Sequence, residues 1–184
     1  MSQGLMDIKI QKIIYNPLSY IHMDRLDIPC DLITTAKARS AANDFIIELY
    51  QLDKSIEPWG NDVYYWINLW DVLPQITYLL GYHMYGYLKW CGETICVPDW
   101  VKHFSFKADT DIRLKLTRPK EEKELYLKGY EYISCACQNL PLPLRQRVSL
   151  LFPDYVDEVQ PVDKTDTLLL TMVAQYVKKN FSKA

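Results

Sequence analysis

The stretch Ala36–Leu52, AKARSAANDFIIELYQL, decides the fold class. Ala42, Phe45, Ile46, Leu49 and Leu52 recur at three- and four-residue intervals, the spacing that lines one face of an α-helix, while Ala38 and Ala41 add helix propensity. This helix is expected to end near Ser55 to Gly60, where Glu57-Pro58 and Gly60-Asn61 break it. Beyond the break, Asp62 has an N-cap side chain for a helix through Trp66 and Trp70. Pro74 then restarts the chain into ITYLLGYHMYGYLKW, so two helices in tandem are expected. On the N-terminal side lies Ile13–Pro29, IIYNPLSYIHMDRLDIP. Asn16-Pro17 forces a turn or a helix start there, and Pro29 closes the segment. The interval Leu18 to Leu26 has room for two helical turns, with Leu18, Ile21 and Leu26 as the apolar face and Tyr20, His22 and Arg25 around it.

The C-terminal half follows the same period. Val97-Pro98-Asp99-Trp100 places a proline and an acid in the first turn of a short helix through Phe104. Glu121 to Asn139 carries Leu125, Tyr132, Ile133 and Ala136 on one face, although Gly129 in its middle costs about 1 kcal/mol relative to Ala. PLPLRQRVSLLFP is a short helix bounded by Pro141, Pro143 and Pro153. The clearest helix is the last, where Leu169, Met172, Val173, Tyr176 and Val177 form a stripe, Asp166 suits the start, and Lys178 and Lys179 suit the end. Only Lys107 to Thr117 departs, since Ile112, Leu114 and Leu116 alternate with charges; a short strand or hairpin near 107–117 is the most that this allows. Charges of both signs make 107–123 a solvated connector. The expected fold is therefore mainly α, an irregular helical bundle forming a single domain over residues 1–184.

Composition narrows the class. The chain has 184 residues, of which 49% are hydrophobic, and only 16 positions are Gly or Pro, so it can bury a core and is neither disordered nor fibrous. A net charge of -2 with no basic tract argues against nucleic-acid binding. No window approaches the roughly 18 apolar residues of a membrane span, and the N-terminus lacks signal-peptide character, so a cytosolic protein without direct membrane insertion is expected. Five irregularly spaced cysteines suit a reducing compartment.

No catalytic motif emerges. Gly81 and Gly86 have P-loop spacing, but Tyr87 and Leu88 stand where Lys and Ser or Thr would contact phosphate; nucleophile-elbow, zinc-protease, dinucleotide and calcium motifs are absent. His83, Cys91, Cys96 and His103 have the ligand types of a zinc or thiol site at loose spacing, crowded by Trp90 and Trp100. Packed thiols and surface imidazoles explain them more simply. Cys135 and Cys137 would point about 160° apart on a helix, hence away from a shared ligand. No metal or cofactor is expected. Nine of the residues from Tyr64 to Trp90 are Tyr or Trp, more than core packing demands, which raises the weight of an interaction protein.

IIYNPLSYIHMDRLDIP, AKARSAANDFI, LPQITYLLGYH, VPDW and LLFP together, in order and spacing, resemble the OrgA/MxiK family of type III secretion accessory proteins, with YscK-type proteins as more distant kin. The resemblance runs from about Ile13 to Phe152 and thins in 107–123. It implies a helical, non-enzymatic adaptor of the injectisome's cytoplasmic sorting platform, at the cytoplasmic face of the bacterial inner membrane. The partners implied are the cytoplasmic domain of the inner-membrane ring protein and the pod protein with its SPOA domains, and through the latter the stator-like protein and the ATPase. Tyr20, His22 and Arg25 are candidate partner-binding residues by their polar and aromatic crowding, and Trp100 is either a fourth or a plug between helices. The rival expectations are a secretion chaperone that binds exported cargo and a small Cys/His-dependent enzyme.

Overall fold

A computed structural model describes residues 3–26, 28–85, 95–104, 119 and 121–181. Eight α-helices occur among them: α1 (Gln3–Tyr15), α2 (Ala36–Leu49), α3 (Asn61–Leu69), α4 (Leu73–Met84), α5 (Asp99–Lys102), α6 (Glu122–Ala136), α7 (Leu142–Val148) and α8 (Thr167–Phe181). Short 3-10 turns link several of them, and no strand occurs among the described residues. The fold is mainly α, as the periodicity predicts. The strand or hairpin expected near 107–117 lies outside the described residues, as does most of the connector 107–123.

The helices divide into two compact units, residues 1–71 with 137–157 and residues 72–136 with 158–184. In the first, α2 starts at Thr35, whose hydroxyl accepts the Ala38 amide at 3.1 Å. It stops earlier than its sequence pattern suggests. Gln51 takes a left-handed φ of 49°, the Leu52 amide returns to the Ile47 carbonyl at 2.9 Å, and Leu52 is thereby tucked into the core. Ala42, Ile46 and Ile47 are the buried residues of α2. Phe45 and Leu49, expected on the same face, are exposed. The reason is tertiary: Ile21, Leu52 and Leu150 close on Ile46 and Ile47, with Leu18, Tyr20, Leu26 and Tyr50 around them, and that cluster selects the inward arc of the helix.

The segment Leu18–Leu26 is not the two-turn helix its length allows. It holds two 3-10 turns, Pro17–Ser19 and Met23–Arg25, separated at His22 by an extended residue with φ -64° and ψ 137°. At that break the His22 amide donates outward to the Leu150 carbonyl at 2.7 Å. Burial of Ile21 against α2, of the order of 1.5–3 kcal/mol for a side chain of that size, holds the segment better than three-residue turns could by themselves.

α3 begins after Gly60, so Asp62 sits in its first turn instead of capping it. A 3-10 turn, Trp70–Val72, then leads into α4, whose first turn contains Pro74. In the second unit α4 and α6 cross with their backbones in contact. A methyl placed on Gly81 would lie 1.9 Å from the Leu125 carbonyl oxygen, and one on Gly129 would lie 1.8 Å from the Thr77 carbonyl oxygen. Thr77–Gly81 and Leu125–Gly129 are each one helical turn apart, so the two turns interlock reciprocally. Gly129 is therefore no defect of α6 but the residue that lets α4 approach. α8 also packs on α4, starting at Asp166, whose carboxylate accepts the Leu168 and Leu169 amides at 2.9 and 3.1 Å. Its buried stripe is Leu169, Leu170, Val173, Ala174 and Val177, while Met172 faces solvent.

Replacing Gly81 or Gly129 by Ala would gain about 1 kcal/mol of helix propensity but force the crossing apart, so each variant is expected to lose about 1–3 kcal/mol net or more. Gly4→Ala, where an added methyl meets nothing within 4 Å, serves as the control and should not lower stability. Denaturant melts followed by circular dichroism measure all three; a stabilised Gly129→Ala protein would refute the close crossing.

Candidate interaction surface

The Pro-bounded segment spends most of its conspicuous side chains on its own unit. The Arg25 side chain is 2% exposed: its guanidinium donates to the Phe152 carbonyl, to the Pro153 carbonyl at 3.1 Å and in two bonds to the Asp157 carboxylate at 2.8 and 2.6 Å. Burial works against the cation, yet the Asp157 carboxylate and Tyr50 together more than offset it and hold the Arg25 pKa above its ordinary value. Arg25 is thus a staple between residues 23–25 and the turn at 152–157.

Tyr20 is half-buried, its ring edge against Trp70 at 5.6 Å between centroids and its hydroxyl donating to the Ile13 carbonyl at 2.8 Å. Burial pushes the phenol pKa up, with the Arg147 cation beside it pulling the other way. His22 keeps 37% of its side chain exposed and accepts the Asp24 amide at Nδ1, a 3.3 Å cap of the second 3-10 turn. The face this segment turns outward is accordingly His22, Asp24 and Met23, the last 60% exposed.

Arg147 carries no signal in the sequence that singles it out, and the structure makes it central. It is fully buried, donating to the Asp53 and Pro143 carbonyls at 2.7 Å each and to the Ile14 carbonyl at 2.9 Å. Burial lowers its pKa, with Tyr20 and Asp53 drawing it back up. Arginine remains protonated under such a shift, so backbone oxygens hold the cation at Nη1 and Nη2 while its Nε stays buried without a partner. Ile13 and Ile14 end α1, where carbonyls lack helical partners; Tyr20 and Arg147 supply them, and the cation also suits the negative end of the helix dipole.

In the second unit Trp100 stands on α5 with its ring edge on Phe181 at 5.0 Å and Tyr78 6.3 Å away, while its carbonyl accepts the Tyr176 hydroxyl at 2.6 Å. Tyr78 packs on Tyr126 at 5.2 Å, and Phe104 on Tyr176 at 5.0 Å. Burial raises the Tyr78 pKa and depresses that of His83, whose ring meets Phe104 edge-on. The structure therefore gathers Tyr20 and Arg25 into the first unit's internal contacts and Trp100 into the second unit's aromatic cluster. Cys91 lies outside the described residues, and among those described no group of three or more His, Cys, Asp and Glu could hold a metal ion.

Most of the large apolar side chains left in solvent lie on α-helices. Phe45 and Leu49 on α2 are 53% and 56% exposed, and Leu168 and Met172 on α8 form a second exposed pair one turn apart. Ile8 and Tyr15 on α1 and Leu32 in the turn before α2 are exposed as well. No helix among the described residues is long and apolar enough to cross a membrane.

The described residues form a mainly α fold that leaves large apolar side chains of α2 and α8 in solvent. Residues 10–179 match the family model of the bacterial type III secretion apparatus protein OrgA_MxiK, and the chain belongs to that family. It is 31% identical over 172 residues to the oxygen-regulated invasion protein OrgA of Salmonella typhimurium (strain LT2), covering 92% of this chain and 86% of that protein. Its identity to protein MxiK of Shigella flexneri is 34% over 176 residues, covering 95% of this chain and 91% of MxiK. No solved structure matches it.

Arg147→Met would remove the guanidinium that reaches the Ile14, Asp53 and Pro143 carbonyls and is expected to cost about 3 kcal/mol or more, with Arg147→Lys unable to restore a fork that points three ways. Arg25→Ala should cost about 2 kcal/mol, because it removes a buried guanidinium with its charge-assisted bonds to the half-exposed Asp157, whereas the half-exposed His22→Ala should stay within about 0.5 kcal/mol of the parent. Urea unfolding of the purified variants decides; an Arg25→Ala protein as stable as the parent would free Arg25 for a partner.

Proposed function

We propose that this chain is a non-enzymatic adaptor of the type III secretion sorting platform, linking the cytoplasmic domain of the inner-membrane ring protein to the SPOA-domain pod protein. Its place is the bacterial cytoplasm, beneath the inner membrane, and through the pod protein it connects to the stator-like protein and the ATPase. Secretion of effectors depends on it because the platform needs the bridge. Neither nucleic acid nor a bilayer is among its partners.

The observation that carries this reading is membership, over residues 10–179, in a family of type III secretion apparatus proteins. The structure supports it physically. A bridge needs rigid elements with separate outward-facing anchors, and exposed apolar pairs occur on α2 in one unit and on α8 in the other. Arg25 and Arg147 stiffen the first unit by internal hydrogen bonding, which limits the ordering cost of binding.

Copurification tests it. The full chain is expected to capture the ring protein's cytoplasmic domain and the pod protein separately and to retain both in one complex when all three are mixed. Capture of exported cargo with neither platform component would replace the adaptor by a chaperone.

A further inference from the structure

The exposed residues of α2 form a second apolar arc beside the buried one. At 100° per residue, Ala38, Ala41, Phe45 and Leu49 fall within an arc of about 80° and extend about 16 Å along the axis. Ala41, Phe45 and Leu49 are exposed and Ala38 half-exposed. Ala42 and Ile46 border the arc on the core side; Lys37, Asp44 and Glu48 border it on the solvent side. Asp44 and Glu48, beside the large side chains, form no ion pair among the described residues, so the wider end of the stripe is acidic.

Two features define the occupant. Spacings of three, four and four residues along a straight helix match another helix with apolar residues at the same intervals, whereas a strand or irregular loop would not follow the line. The unpaired carboxylates favour cations along the edge of that helix. We propose that the α2 stripe seats an amphipathic helix from a partner protein, with leucine-like residues facing Phe45 and Leu49 and lysine or arginine facing Asp44 and Glu48. The seat deepens the adaptor reading and depends on it only for which platform protein supplies the helix.

The test uses the full chain and a labelled synthetic leucine/lysine peptide of about four amphipathic helical turns, with a scrambled peptide and a leucine/glutamate counterpart, read by fluorescence anisotropy. The lysine helix is expected to bind at least about tenfold tighter than either control. Phe45→Ser with Leu49→Ser should weaken it about tenfold or more, and Asp44→Lys with Glu48→Lys should turn the preference toward the glutamate helix. All four positions are exposed, so circular dichroism and melting of both variants should match the parent. Equal binding of lysine and scrambled peptides by the parent, or unchanged binding by either variant, overturns the inference. Parallel copurification keeps the two ideas apart: a chain that binds the lysine helix through α2 but captures neither platform protein sinks the adaptor reading alone.

Discussion

One buried cation organises the first unit. Arg147, on α7, reaches the Ile14 and Asp53 carbonyls, 133 and 94 residues away in the chain, besides the Pro143 carbonyl of its own helix, and so ties the end of α1 and the exit from α2 to α7. Desolvating that charge is expensive, and only oxygens held in the right directions compensate for it. The geometry is consequently demanding in a way apolar packing is not. Removing any one of the three carbonyls from place would take a further hydrogen bond from the buried cation, so the contact specifies this arrangement over others of similar hydrophobic content.

The second unit is specified by the opposite means, the absence of side chains. Gly81 and Gly129 let α4 and α6 meet backbone to backbone, and the aromatic residues Tyr78, Trp100, Tyr126 and Phe181 fill the space beside that crossing. Much of the Tyr and Trp content thus has an internal use. Tyr20 caps α1, Tyr132 donates to the Asp166 carbonyl at the start of α8, and Tyr176 holds the Trp100 carbonyl. The large apolar side chains left outward are mostly aliphatic and lie mostly on helix faces, with Phe45 beside Leu49 on α2.

Particular residues show where sequence reasoning ran out. α1 has no strong amphipathic pattern: Ile10, Ile13 and Ile14 are buried but Ile8 is exposed, and its C-terminal carbonyls are satisfied by Tyr20 and Arg147 from elsewhere in the chain. On α2 the apolar residues occupy more than half the circumference, so periodicity could not say which arc faces in; the Ile21, Leu52 and Leu150 cluster decides it. Arg25 reads as surface chemistry because nothing local pairs with it. Its partner, Asp157, is 132 residues away. A signal for the helix crossing was present, since Gly81 and Gly129 each interrupt a helical pattern at a propensity cost that only close packing would justify.

By itself the sequence determined the helical class, most helix positions and the family, because three- and four-residue periodicity, prolines, caps and colinear motifs are local properties of the chain. The tertiary structure alone decided the inward face of α2, the 3-10 path of residues 17–25, and the burial of Arg25 and Arg147. It also decided which apolar residues stay in solvent. The physical reason is that each of these outcomes depends on a donor, acceptor or methyl group contributed by a distant segment, and no local pattern encodes which distant group arrives.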